Sequence, residues 1–193
     1  MNEQTISVEE LADREAIRDV ILQYSRGADR HDVELMKDCY HPDGTDQHTF
    51  FAGNGCEFCE AAMTHLNSCK FSMHQNSNIL IKFSGDRAFV ENYVKVVHRL
   101  KVDDGYLDHE HFGRYCDVFE KRNGVWKILH RLHLPDGDRM IKVVGLPERP
   151  VDAAPDDVVF ELGRAGPDDP SYQEFAILDD KRSYPPIDDL FRR

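Results

Sequence analysis

Four side chains of this sequence are of the types that move protons and hold developing charge: Tyr24, Asp29, His74 and Arg131. A histidine is an effective general base near neutral pH, worth about 10²–10⁴ in rate when it is positioned. A carboxylate on its other ring nitrogen fixes the tautomer and stabilises the imidazolium that forms. An arginine facing the same cavity stabilises an enolate or a departing anion, and a phenol donates to a carbonyl or a leaving group. Together they describe proton abstraction with elimination or enolisation. Each also has an ordinary reading. An aspartate just past a helix end serves as a turn or cap residue, and a strand histidine as a satisfied core or surface group. Tyr24 lies on an apolar stripe that packing alone explains, and last-strand arginines are commonly solvated or paired. What singles these four out is their joint placement.

The placement follows from the elements. Ser7-Val-Glu-Glu10 is a capping box, and apolar residues recur at helical spacing at Leu11, Ile17, Val20, Ile21, Tyr24 and Ala28. Tyr24 and Asp29 therefore stand at the end of a long first helix. Asp32 is the N-cap of a second helix carrying Val33, Leu35, Met36, Cys39 and Tyr40 inward, and His41-Pro-Asp-Gly44 is the turn that ends it. Residues 45–52 read as a strand and 56–68 as a short helix. Long strands follow at about 71–83, 87–102, 106–121 and 125–134, with Gly85-Asp86, Asp103-Asp104-Gly105 and Arg122-Asn123-Gly124 as turns. Strands this long joined by short hairpins form a strongly twisted antiparallel meander, not βαβ units. The N-terminal helices must cover one face of it. The expected fold is an α+β cone, a curved antiparallel sheet wrapped on helices, with a pocket at its open end. His74 opens the first long strand and Arg131 lies on the last, five residues past Trp126.

Composition narrows the partners. With 36 acidic and 24 basic residues the net charge is −12, which suits neither phosphate backbones nor anionic lipid. No apolar run approaches membrane-spanning length, and the N-terminus lacks a signal pattern, so a cytoplasmic protein is expected. Five cysteines, an odd set in a chain of 193 residues, argue against a disulfide framework. Cys56-Glu-Phe-Cys59 with His65 and Cys69 suggests zinc, but no second pair stands at ligand spacing, so no metal is expected. His109 and His111 share a strand face and His130 and His133 bracket Arg131. They read as surface or pocket-polar residues.

Of nine prolines only Pro42 precedes Pro135, and acidic pairs recur from Asp156-Asp157 to Asp188-Asp189. Residues 1–146 therefore read as the α+β domain and 147–193 as an extended acidic, proline-rich tail that wraps the domain or a neighbouring subunit, with simple disorder as the alternative.

The stretch from Leu11 to Leu134 resembles the SnoaL-like branch of the nuclear transport factor 2-like superfamily. The resemblance rests on Ala12-Asp-Arg-Glu-Ala-Ile-Arg-Asp19, Tyr24 with Asp29, and His74-Gln-Asn-Ser-Asn78. Gly85-Asp-Arg-Ala88, Gly113-Arg-Tyr-Cys-Asp-Val-Phe-Glu120 and Gly124-Val-Trp-Lys-Ile128 extend it. Within the family the nearest functional pattern is that of scytalone dehydratase, hexachlorocyclohexane dehydrochlorinase and bile-acid 7α-dehydratase. Those enzymes use a His–Asp dyad without metal or organic cofactor and form trimers.

The resemblance implies that His74 is the base, Asp29 its partner, Tyr24 and Arg131 further catalytic groups, and His98 a substrate-binding residue. It also implies no cofactor, and a homo-oligomer, trimer before dimer. The implied activity is that of a lyase, most simply a dehydratase, on a small hydrophobic hydroxylated ring compound of steroid or polyketide type. The lysine of the dehydrochlorinase is absent, which disfavours dehydrohalogenation. A double-bond isomerase needs nearly the same parts. The non-catalytic β subunit of a ring-hydroxylating dioxygenase and a ligand-binding protein share the fold.

Overall fold

In the computed structural model, which describes residues 6–144 and 163–172, Ser7 caps helix α1 (Val8–Arg30) by accepting from the Glu10 amide at 3.0 Å. Its buried stripe is Ile17, Ile21, Tyr24, Ser25 and Ala28, whereas Leu11 is exposed. The helix ends at His31, a non-glycine residue at φ 55°, and the Asp32 amide closes the turn onto the Gly27 carbonyl at 2.8 Å. Asp32 in turn caps α2 (Val33–Asp38) through the Leu35 amide. A Cβ on Gly27 would stand 2.7 Å from Met36 Cγ, so glycine is what lets α2 fold back onto α1 two residues before Asp29.

The strands are β1 (Tyr40–His48), β2 (Phe51–Asn54), β3 (Cys69–Ser84), β4 (Arg87–Val102), β5 (Gly105–Arg122) and β6 (Val125–Val143), with α3 (Gly55–Leu66) between β2 and β3. They form one curved sheet in the order β2-β1-β6-β5-β4-β3. The expected antiparallel meander holds for β3 to β6. One pairing departs from it: β1 runs parallel to β6, so the sheet is mixed. His41–Gly44 is not a free turn but lies inside β1, where the pairing with β6 shifts register between Tyr40 and Thr45. Helices α1, α2 and α3 lie against the inner face, around a core that includes Ile17, Ile21, Phe58, Val90, Phe119 and Trp126.

The last strand passes the predicted stop at 134 and continues to Val143. Proline does not prevent this, because β6 pairs with β1 only as far as Leu132 and is an edge beyond it. Pro135 sits opposite Gly113, at a register shift. Of the proposed tail, 147–162 and 173–193 lie outside the described residues. Residues 163–172 dock on the junction of α1 and α2. The Gly166 amide donates to the Arg30 carbonyl at 2.6 Å, Asp169 lies 3.5 Å from Arg30, and the Tyr172 hydroxyl donates to Asp32 at 3.1 Å.

Candidate active site

A cavity of about 490 Å³ opens between the end of α1, helix α3 and the concave sheet, and its walls include Tyr24, His48, Phe58, His74, His98 and Tyr115. Asp29 reaches His74 from the helix end. One carboxylate oxygen lies 2.7 Å from His74 Nδ1 and the other accepts from the His74 backbone amide at 3.0 Å. Topology makes the second contact available: β3 is the sheet's edge strand, and an amide pointing away from β4 has no neighbouring strand. One turn earlier on α1, Ser25 accepts from Asn76, whose side-chain oxygen accepts from Asn92, so a polar chain pins the same helix end to β3 and β4. With Nδ1–H donated to the carboxylate, His74 keeps only Nε2 for the cavity it lines.

Tyr24 lines the same cavity. Burial, with Tyr115 adding to it and Arg131 opposing, holds its phenol well above the usual range, so it remains a proton donor. His98 also lies there, its ring centroid 5.8 Å from that of His74 and its Nδ1 3.0 Å from Ser72 Oγ. Burial and the neighbouring His74 and His65 push its pKa down to about 3, so it is neutral.

Arg131 does not face the cavity, and here the expectation is corrected. Its Nε and Nη2 donate to the two oxygens of Asp117 at 2.9 and 2.7 Å, and both side chains are fully buried. The guanidinium lies behind the cavity wall, 4.3 Å from the ring centre of Tyr24 and 4.0 Å from that of Tyr115. Two features put it there. Leu129 is an extra residue between the pairs Phe119–Ile128 and Val118–His130, which turns Arg131 inward, and Asp117 stands directly opposite. Burial raises the Asp117 carboxyl, yet the adjacent guanidinium stays protonated and keeps the pair ionic.

The opposite wall carries groups that the sequence reading did not single out. Asp46 and His48, two apart on β1 and so on one face, are bonded to each other through His48 Nδ1. Tyr40 donates to the other Asp46 oxygen at 2.5 Å. The His48 ring is stacked between Phe58, at 4.1 Å, and His133, at 4.5 Å. His133 meets His111 at 2.8 Å, and Asp138 at the rim lies 2.8 Å from His111 and 2.7 Å from His109. Burial, with His48 and His111 nearby, lowers His133 to about 3. The signal for the first pair was present as an acid and a histidine at strand spacing.

As for metals, the cysteine pair and the later ligands do not assemble. Among the described residues His65, Cys69 and His98 instead bring one ligand atom each within 4.8 Å of one another, beside the cavity. No helix among the described residues is long and apolar enough to cross a membrane.

The SnoaL-like domain pattern matches residues 9–132. The chain belongs to the SnoaL-like family of the nuclear transport factor 2-like superfamily. Among curated proteins, none matches by sequence. Of solved structures, a scytalone dehydratase-like protein from Novosphingobium aromaticivorans is 24% identical, covering 69% of this chain and 91% of its own, with a TM-score of 0.61. A hexachlorocyclohexane dehydrochlorinase of type 3 from Novosphingobium barchaimii is 18% identical over 71% of this chain and 95% of its own, at 0.60. A protein of unknown function with a cystatin-like fold from Nostoc punctiforme is 24% identical over 65% and 92%, at 0.53. At these identities the three neighbours share the fold.

Proposed function

We propose that this SnoaL-like chain is a cofactor-independent lyase, a dehydratase of small hydrophobic hydroxylated ring compounds of steroid or polyketide type. The observation that carries the reading is the double grip of Asp29 on the backbone and ring of His74. The grip sets the tautomer and leaves Nε2 as the base that removes a proton beside a carbonyl. Tyr24 donates to that carbonyl as it becomes an enolate, and Arg131 acts from behind the ring, polarising the phenol without touching substrate. His98, neutral and bonded to Ser72, is a hydrogen-bonding wall for the ring. The apolar lining supplied by Phe58, Met36 and Leu66 suits a hydrophobic ring. Similarity in fold to a scytalone dehydratase-like protein supports the reaction class.

The test is turnover of a bicyclic β-hydroxy ketone such as 3-hydroxy-1-tetralone, which loses water to give 1-naphthol. Wild-type turnover that disappears in His74→Ala, with the fold retained, is the expected result; equal turnover by the variant refutes the assignment.

The same reading includes assembly as a cytoplasmic homo-oligomer, trimer before dimer. Phe71, Phe89, Tyr93 and Phe112 stand exposed on the outer side of the sheet, an apolar surface that subunit contact would cover. Light scattering at micromolar concentration should return about three times the 22.3 kDa chain mass, and a monomer contradicts it.

A further inference from the structure

Elimination of water from carbon needs two proton movements. One proton leaves carbon, and another must reach the departing oxygen, because hydroxide is a poor leaving group. The dyad of Asp29 and His74 supplies the first. We propose that His48, held by Asp46, is the second: the general acid that protonates the leaving hydroxyl from the opposite wall of the cavity.

The assignment rests on the dehydratase reading above and on the geometry of this wall. His48 lines the cavity, and its Nδ1 is committed to Asp46, so Nε2 is the ring nitrogen left for substrate. Asp46 is 1% exposed and is held by the Tyr40 hydroxyl, so it is a fixed counter-charge for an imidazolium. Stacking between Phe58 and His133 fixes the plane of the ring. The other cavity histidines are poor candidates, His65 because its ring meets the thiol of Cys69 at 3.9 Å and not a carboxylate. His98 and His133 are held neutral by burial, and His109 and His111 share the single rim carboxylate of Asp138.

The protons balance. His74 Nε2 takes the proton from carbon as the electron pair moves toward the carbonyl. The carbon–oxygen bond then breaks while His48 Nε2 gives its proton to the oxygen, and water departs. His74 ends charged and His48 neutral, and one proton passed from the first to the second, through water, resets the pair.

The experiment compares two leaving groups on one ring. 3-Hydroxy-1-tetralone needs an acid, whereas 3-acetoxy-1-tetralone expels acetate without one, and both yield 1-naphthol. His48→Gln should lower elimination of water by about 10²–10⁴ while lowering elimination of acetate at least tenfold less. His74→Ala should lower both alike. Asp46→Asn, which leaves the stacked ring in place, should reproduce the leaving-group selectivity and so separates a lost acid from a lost fold. Equal losses on both substrates in His48→Gln and Asp46→Asn overturn the second dyad and leave His74 as base. No turnover of either substrate by the wild type overturns the dehydratase reading itself.

Discussion

Two acid–base pairs lie within one sheet's reach of each other and use nearly the same contacts. Asp117 grips Arg131 through two bonds of 2.9 and 2.7 Å; Asp29 grips His74 through two of 2.7 and 3.0 Å. What differs is the cation and its access. Arg131 is fully buried, permanently charged and sealed behind Tyr24 and Tyr115. His74 lines a cavity, and with Nδ1 committed to Asp29 its ring keeps Nε2 for that cavity. The first pair is thus fitted to hold a structure and a field, whereas the second is the one to which the proposed function assigns proton transfer. Geometry alone does not separate them; exposure of one titratable nitrogen does.

The sharpest way to break this contrast is to exchange the consequences. His74→Ala should cost about 10²–10⁴ in kcat with an unchanged melting temperature. Asp29→Asn should lower kcat more than KM and in the same range, since it spoils the tautomer and leaves the volume intact. A melting temperature that falls as far as activity would show that the two pairs are not different in kind.

The buried pair should behave the other way round. Arg131→Met leaves Asp117 charged and alone, and should cost about 3–5 kcal/mol of stability by denaturant unfolding. Adding Asp117→Leu should recover most of that, because the uncompensated charge is gone. If the double variant is as unstable as the single one, the pair is more than a matched set of charges.

Exhaustive chelation should change turnover less than twofold, since proton transfer by the dyad uses no metal. Loss with EDTA that zinc restores would instead assign a role to His65, Cys69 and His98.

The smallest effect belongs to residues 163–172. Hydrogen bonds from Ser171 and the Arg164 amide, with Arg30 nearby, outweigh burial and hold Asp169 at about 2, below the ordinary carboxylate value of 3.8. A carboxyl lowered on folding contributes its stability above the unfolded value and loses it as pH falls through the folded one. Contacts of this segment should therefore persist at pH 4 and be lost between about 4 and 2, which amide exchange at Gly166 would follow. Loss well above pH 4 would contradict it.

Much of this was legible in the sequence for local reasons. Caps at Ser7 and Asp32, and hairpins at Gly85 and Asn123-Gly124, are set by neighbouring residues, and the structure has them. The proximity of Asp29 and His74 was readable because Asp29 stands at a helix end and His74 in the first half of the strand which that helix end meets. What escaped is long-range or a matter of phase. Parallel pairing of β1 with β6 joins segments some eighty residues apart. One bulged residue, Leu129, decides whether Arg131 turns to the concave side of the sheet or to its outer side. Asp46-Gln-His48 reads as an ordinary polar strand until His133 and Phe58 close on it.

The docked segment near Tyr172 has a consequence for the order in which this molecule is made. Among the described residues every strand that builds the cavity precedes Val144, yet Arg30 and Asp32, which flank the turn after Asp29, are held by residues 166, 169 and 172. A chain emerging from the ribosome can complete its sheet, and even close Asp29 onto His74, while these anchors are still inside the exit tunnel. The helix end that carries Asp29 is fastened later than the wall it faces. Full registry of the pocket therefore waits on residues 166–172, and chains that stop short of them would hold Asp29 on a looser hinge.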